Sequence, residues 1–588
     1  MENVAPKRKV RNREKNRTWQ PYILLTIYSV VLTGISYISI NSNSQIYDYP
    51  FHMARIVGLA QSISHGDWLP NLNYLFTHGS GYAVPMFYGN AILYLPALVY
   101  LMTKVGTLAF SSYAFIIILS TSWTSYFSLF QITEDRNKSI LFGMTMATVF
   151  PYFGFGMTAA APFIPILIYC IYKVLYMERL NPILLGVTVS LLVQTHVIST
   201  LVLGISSGII VLFNIHRLRW KKLLSFILSI LIALALSIGY ILQYIEQNRS
   251  QTFFVSWGLR DYPFPSPTIL AAGSLSHIIE TYFFPLALVF MVLGFLLMYY
   301  LKPMSRALLV TSLILLIASS NILPWQSVLR FTFLTVFQYT TRLIYFLPAF
   351  ILMALFMAEI KHLAKFLTLV QIGYFVITGP LNFLPSASNY KEKYGLVATN
   401  IEVMRAQNAQ ATNAYTNPQV ATYWTSGNEY FNLSINHKHV EEGIVNQFVY
   451  DQSQVTISNI KQGYNRLDFD VTLVGEGTEA ELVLPRIWYK GYVADYSSGA
   501  DGSQPEIVYA PLSEEELLQY QEAHKPDVST KALNDGRATI TINKGGHVTI
   551  RYRKTTIQWI GFVFEFISWT SVLCYSMFIF VKNKKDTL

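Results

Sequence analysis

Apolar segments recur along almost the whole chain, at about 21–40, 86–104, 108–131, 139–157, 160–177, 182–196, 198–215, 223–244, 279–301, 306–323, 343–360, 364–382 and 557–581. A run of about twenty apolar residues is long enough to cross the hydrocarbon core as one helix. In lipid the main chain must satisfy its own hydrogen bonds, so repeated runs of this kind fold as helices or not at all. The balance of 52% hydrophobic to 13% charged residues over 588 positions excludes an ordinary soluble domain. The expected fold is therefore an α-helical polytopic membrane protein with about 13 spans.

Basic residues orient it. The formal charge of +10 is read as basic cytoplasmic loops and contact with anionic membrane lipid, not as a nucleic-acid surface. Residues 1–20 form a basic arm whose charge puts the N-terminus in the cytoplasm, and the apolar run after it lacks a cleavage site and reads as a retained anchor. His216, Arg217, Arg219, Lys221 and Lys222 mark a cytoplasmic turn, as do Lys302, Arg306, Lys361, Lys365 and the lysines at 582, 584 and 585. They leave 245–278, 324–342 and 383–556 outside. The charges at 135–138 and at Arg179 then fall on the wrong side if every segment crosses fully. One or two segments between 86 and 215 are accordingly expected to be short, broken or re-entrant, with the Gly- and Pro-rich stretch 151–165 the best candidate. The two cysteines, Cys170 and Cys574, both lie in apolar segments, so no disulfide framework or zinc site is expected.

Residues 385–556 change character. Alternating stretches at 454–458, 467–473, 480–484, 538–542 and 547–552 have the period of two of half-buried strands. Asn534-Asp535-Gly536 and Lys544-Gly545-Gly546 read as hairpin turns. Residues 512–523 read as a short inserted helix with Ser513 as its cap and Glu516 at the capping-box position. An extracytoplasmic β-sandwich-like domain is expected here, closed by a last apolar helix.

The outer loop 41–85 and its continuation to Tyr88 carry the densest polar cluster. Asp48 is followed by His52 and Arg55, at i+4 and i+7 if a helix begins early. Phe51, Ile56, Leu59, Ala60 and Ile63 recur near helical spacing, which predicts a helix over 51–64 lying on the membrane surface. Gly66 and Pro70 bracket Asp67-Trp68 in a turn. Arg260-Asp261-Tyr262-Pro263-Phe264, in the other large outer loop, repeats part of the first string.

Transfer of a sugar from a phosphate-activated donor needs a base for the acceptor hydroxyl, a cation for the departing phosphate and aromatic faces for the sugar. The outer loops hold all three: Asp48 or Asp67; Arg55, Arg260 or Arg342; and Trp68, Tyr82, Tyr88 and Trp257. These loops hold no Asp-x-Asp pair, Asp468 and Asp470 belonging to a strand of the β domain, so no metal or other cofactor is indicated. Two readings stand for His196, a packing residue between two apolar segments or a donor at a cavity rim. Arg342 either snorkels to the interface or contacts phosphate.

Two stretches carry a family resemblance. The first runs from Asp48-Tyr-Pro-Phe-His52-Met-Ala-Arg55 through Gly66-Asp67-Trp68-Leu-Pro70 to Pro85-Met-Phe-Tyr88. The second comprises Leu484-Pro-Arg-Ile-Trp488-Tyr-Lys-Gly491-Tyr-Val-Ala494, Asn534-Asp-Gly536 and Asn543-Lys-Gly545-Gly-His547-Val-Thr-Ile-Arg-Tyr552. With them the chain resembles the GT-C membrane glycosyltransferases, and within these the bacterial YfhO-type proteins and the group labelled 6-pyruvoyl-tetrahydropterin synthase-related. The resemblance implies a GT-C-like transmembrane domain over 21–384, an outer β domain over 385–556 and a closing helix with basic tail over 557–588. It implies Asp48 as catalytic base; the reading of the residues themselves supplies His52, Arg55, Asp67, Trp68, Tyr82, Tyr88, His196, Trp257, Arg260 and Arg342 as substrate-binding candidates. The implied donor is a polyprenyl-phosphate-linked sugar. The implied acceptor is a cell-surface polymer such as a teichoic acid, on the outer face of the bacterial cytoplasmic membrane. A membrane glycosyltransferase that makes the donor is the candidate partner of the basic arm. A flippase for a lipid-linked glycan and a non-catalytic envelope-assembly factor are the rival readings.

Overall fold

The computed structural model describes residues 19–38, 44–150, 156–177, 182–251, 253, 273–378, 430–432, 435, 440, 443–475, 479–496, 507–508 and 536–585, with the main chain alone at 36–38, 44–50, 107, 335, 580 and 583–585. The basic arm, the start of the Gly-rich stretch at 151–155, Trp257, Arg260 and the helix expected at 512–523 lie outside the described residues.

The apolar segments form helices, most of them shorter than the sequence suggests. Among the described residues two helices, Leu108–Thr133 and Thr556–Ile579, are long and apolar enough to cross a bilayer. A third passes only as a bent pair, Trp220–Leu236 with Ile238–Ser250, broken by 69°. The other apolar helices have 10–17 residues, about 15–26 Å at 1.5 Å per residue, short of a core of about 30 Å. The expectation of about 13 full spans is met only in its coarser part: a mostly helical chain with a C-terminal β region. The reason is local breakage. The segment expected at 279–301 becomes helix Pro285–Leu296 and a 3₁₀ turn Met298–Tyr300. That at 343–360 becomes a 3₁₀ turn Thr340–Ile344 and helix Leu347–Phe356. The described part of 151–165 is a 3₁₀ turn, Gly156–Ala160, leading into helix Phe163–Tyr176.

The chain divides into two compact units, Met1–Ile46, Ser111–Ala233 and Ile269–Ile401 forming one, and Tyr47–Phe110, Leu234–Thr268 and Glu402–Leu588 the other. The first unit is helical. Its centre is Leu347–Phe356, whose sequence LPAFILMALF is apolar on every side and whose ten residues are all buried. A helix with no polar stripe is stable only when surrounded, and here helices Arg136–Met146, Pro285–Leu296 and Pro303–Ala318 pack on it. Polar ties fix neighbouring elements in register: the Thr145 and Thr368 hydroxyls meet at 2.9 Å, and Gln371 Nε2 donates to the Thr148 carbonyl at 3.2 Å.

The second unit begins within helix Ser44–Ser64, at Tyr47. Every residue from 51 to 63 is buried. The helix is where the periodicity predicts, but it is a core element and not one lying on a membrane surface. The loop that follows folds back over it. Gly58 makes room for this: a Cβ there would lie 2.1 Å from the Asn73 side chain. Asn73 Nδ2 donates to the Ala54 carbonyl at 3.1 Å, and its Oδ1 accepts from Leu75 N–H at 2.9 Å.

The β region forms two four-stranded antiparallel sheets. Strands β1 (Val449–Tyr450), β4 (Ala480–Ile487), β7 (Arg537–Ile542) and β6 (Ile507–Val508) make one, in that order. Strands β2 (Val455–Gly463), β3 (Arg466–Leu473), β8 (Gly546–Tyr552) and β5 (Tyr492–Tyr496) make the other. Leu467, Phe469 and Val471 on β3, and Ala480, Leu482 and Leu484 on β4, alternate inward and are buried. The turn at Lys544-Gly545-Gly546 does not close a hairpin. It carries the chain from β7 in one sheet to β8 in the other. The tight hairpin is Tyr464-Asn465 between β2 and β3, where Asn465 takes φ 47°, a conformation asparagine tolerates. Helix Thr556–Lys585 follows β8 and closes the unit.

Candidate functional site

Helix Ser44–Ser64 holds Asp48, His52 and Arg55 on successive turns. The side chain of Asp48 lies outside the described residues. His52 and Arg55 are buried. The Arg55 guanidinium lies 3.8 Å from the centroid of the Tyr88 ring and donates to the carbonyls of Gly89 (2.8 Å) and Tyr88 (3.2 Å). Its Nη1 is 3.4 Å from His52 Nδ1. The His52 and Tyr88 ring centroids are 6.1 Å apart. A buried guanidinium is costly unless its donors are met, and the 88–89 main chain meets those of Nη2. Arg55 thus ties that loop to the helix.

Asp67 is in a different setting. The Tyr464 hydroxyl donates to Asp67 Oδ2 at 2.9 Å, and the Tyr464 ring stacks on His65 at 4.7 Å. The two belong to a cavity of about 380 Å³ lined also by Asn71, Tyr74, Asn465, Tyr552, Arg553, Lys554 and Trp559. Lys554 Nζ donates to Asn71 Oδ1 at 2.7 Å and to the Leu69 carbonyl. The Tyr74 hydroxyl donates to Asn465 Oδ1 at 2.7 Å, and Asn465 bonds both the N–H and the carbonyl of Tyr552. Burial pushes the Lys554 amine below the ordinary lysine range, against the pull of the Asp67 carboxylate. Burial, and then the same carboxylate, push the Tyr464 phenol up. Tyr464 therefore donates to Asp67 as a neutral phenol at any physiological pH. The cavity can receive a hydroxyl at Asp67 and an anion at Lys554, between aromatic walls.

The remaining sequence candidates scatter. Trp68 is exposed, and its carbonyl accepts from the Tyr94 hydroxyl. Tyr82 is fully buried, packed on Phe76 at 5.1 Å and Phe431 at 4.9 Å, so its faces are covered by protein. His196 and Arg342 belong to the first unit. His196 caps helix Val197–Phe213: Ser199 N–H donates to its Nδ1 at 3.1 Å. Arg342 is half-buried in the turn Thr340–Ile344, 5.4 Å from the Tyr339 ring.

Sequence reasoning passed over Tyr464, Lys554 and Trp559. The basic run Arg551-Tyr552-Arg553-Lys554 before the last helix was a visible signal for one of them. Nothing local marks Tyr464. Among the described residues no group of three or more His, Cys, Asp or Glu side chains is arranged to hold a metal ion. No protein-family model matches this chain, and no curated protein matches it.

Proposed function

We propose that this chain is a multi-pass GT-C-like glycosyltransferase of the bacterial cytoplasmic membrane, related to the YfhO-type proteins. It moves a sugar from a polyprenyl-phosphate donor to a cell-surface polymer on the outer face. The observation that supports this is the face of helix Ser44–Ser64: a carboxylate-bearing position followed, one and two turns on, by a buried His52 and a buried Arg55 under Tyr88. Burying such a polar set is unfavourable, and buried ionisable clusters concentrate where chemistry is done. In the proposed step the acceptor hydroxyl oxygen attacks the anomeric carbon. The bond from that carbon to the phosphate oxygen breaks, and the electron pair leaves with the polyprenyl phosphate. Asp48 takes the acceptor proton, and His52 and Arg55 set the local field and hold the 88–89 loop. The short, broken apolar helices suit a cavity-lining bundle better than a row of simple spans.

The test is mass spectrometry of surface polymers from wild type, a deletion strain and Asp48→Asn at matched membrane level. Loss of one sugar mass in both mutants is expected. A normal polymer in the Asp48→Asn strain would remove Asp48 as base. Loss in the deletion alone would favour a flippase or scaffold.

A further inference from the structure

The cavity beside Asp67 stands where the chain passes from the β region into its last helix. Lys554 and Trp559 line it, and the apolar window of that helix starts at Thr556. Gln558 and Gly561 are buried, one face of the helix packs on helix Ile238–Ser250, and the rest of its apolar length is exposed or half-buried. Ile560, Val563, Phe564, Phe566 and Ile567 are all exposed, on the side of the helix turned away from helix Ile238–Ser250. Such a helix is covered by lipid when it crosses a bilayer, and a tryptophan in its first turn then sits at headgroup depth. Trp559 is 56% exposed there.

The polar groups define what the cavity can hold. The Lys554 ammonium has three N–H donors and spends two on Leu69 and Asn71. Arg553, beside it in sequence, is anchored to Asp495 at 2.9 Å and is otherwise exposed. Both cations line the cavity. Tyr464 occupies one oxygen of Asp67, and a carboxylate has further lone pairs to accept from ligand hydroxyls. A volume near 380 Å³ is at the small end of ligand sites and suits one headgroup-sized moiety.

We propose that this cavity binds the phosphodiester headgroup of a hydroxyl-bearing bilayer lipid, with Lys554 and Arg553 on the phosphate, Asp67 on the hydroxyls and Trp559 at the interface. A choline headgroup offers Asp67 no hydroxyl, so the site discriminates among lipids. The inference rests on the membrane reading of the terminal helix and not on glycosyl transfer, so a failed transfer assay leaves it standing.

The full-length protein is reconstituted in nanodiscs of equimolar phosphatidylcholine and phosphatidylglycerol, released into detergent, and the retained lipid is read by native mass spectrometry. Phosphatidylglycerol is expected to be retained about tenfold over phosphatidylcholine, equivalent to about 1.4 kcal/mol. Lys554→Gln should bring the ratio toward unity, Lys554→Arg should keep most of it, and Asp67→Asn should lower it without changing total lipid retained. Equal retention of the two lipids by wild type overturns the proposal, as does a ratio indifferent to both Lys554→Gln and Asp67→Asn. A parallel calorimetric titration with soluble glycerophosphoglycerol separates the sources: saturable binding there without lipid preference assigns the cavity to a soluble phosphodiester and refutes the bilayer headgroup. Thermal unfolding of each variant identifies any that fails to fold, and Arg553→Gln then serves as the second charge variant.

Discussion

Glu565 of the terminal helix accepts the backbone N–H of Gly239 at 2.9 Å and, through the same Oε2, that of Tyr240 at 3.4 Å. Those N–H groups open helix Ile238–Ser250, just after the 69° break. The first N–H groups of a helix have no partner within it, and among apolar side chains that deficit is large. A carboxylate within an apolar helix is thereby explained: it caps the broken one. The approach is close because both contact points are glycine. A Cβ on Gly561 would lie 3.0 Å from Gly239 Cα, and one on Gly239 would lie 2.8 Å from the Phe562 ring.

Glu565→Ala should therefore cost about 1.5–3 kcal/mol, the range for hydrogen bonds to a charged group, and Glu565→Gln less, because the amide oxygen still accepts. Gly239→Ala should also destabilise. Thermal unfolding of the purified protein in detergent measures all three. Equal stability of Glu565→Ala and wild type would sink the capping account.

Two aromatic candidates should behave oppositely. Tyr82 is enclosed by Phe76 and Phe431, so Tyr82→Ala should destabilise by about 3–5 kcal/mol. Trp68 is 53% exposed, and Trp68→Ala should stay within about 0.5 kcal/mol of wild type. Any loss of activity in Trp68→Ala would then be a contact with substrate, whereas loss in Tyr82→Ala would be loss of fold.

Arg486 is 1% exposed, in the irregular end of β4. Its guanidinium donates to the carbonyls of Pro485 (2.9 Å), Arg466 (3.3 Å) and Gly79 (3.4 Å). Arg486→Ala leaves these acceptors in a dry pocket and should cost about 2–4 kcal/mol. Lys should recover little, since a point charge cannot reach three carbonyls. Denaturant unfolding followed by tryptophan fluorescence provides the comparison.

The outward face of the second sheet predicts an acid limb of stability. Asn459 and the His547 ring donate to Asp470 at 2.6 Å each and hold its carboxyl below the usual range. Partial burial would raise the Asp468 carboxyl, but hydrogen bonds from Arg466 and Thr549 outweigh it and hold it low. A depressed folded value stabilises the protein above the unfolded value of about 3.9, and that stabilisation is lost as pH falls through the folded value. Asp470→Asn should thus melt below wild type at pH 6, with the gap closing as pH drops under about 4. A gap independent of pH would contradict this linkage.

Composition and periodicity already determined much. Apolar runs specified a mostly helical chain, alternation located β3, β7 and β8 to within one residue of their ends and the first parts of β2 and β4, and the last run became helix Thr556–Lys585. These are short-range properties, carried by side chains a few residues apart. Only the tertiary structure decided where apolar runs break, because hydropathy does not register a 3₁₀ turn or a cap supplied from another helix. It decided that helix Ser44–Ser64 is enclosed, because the loop that covers it is polar in sequence and packed in space. It also decided which charges meet. Asp67 and Tyr464 are 397 residues apart, and Lys554 reaches Leu69 across 485. No local pattern encodes such a pairing, since it forms only when distant elements are packed together and the polar groups caught between them must find partners.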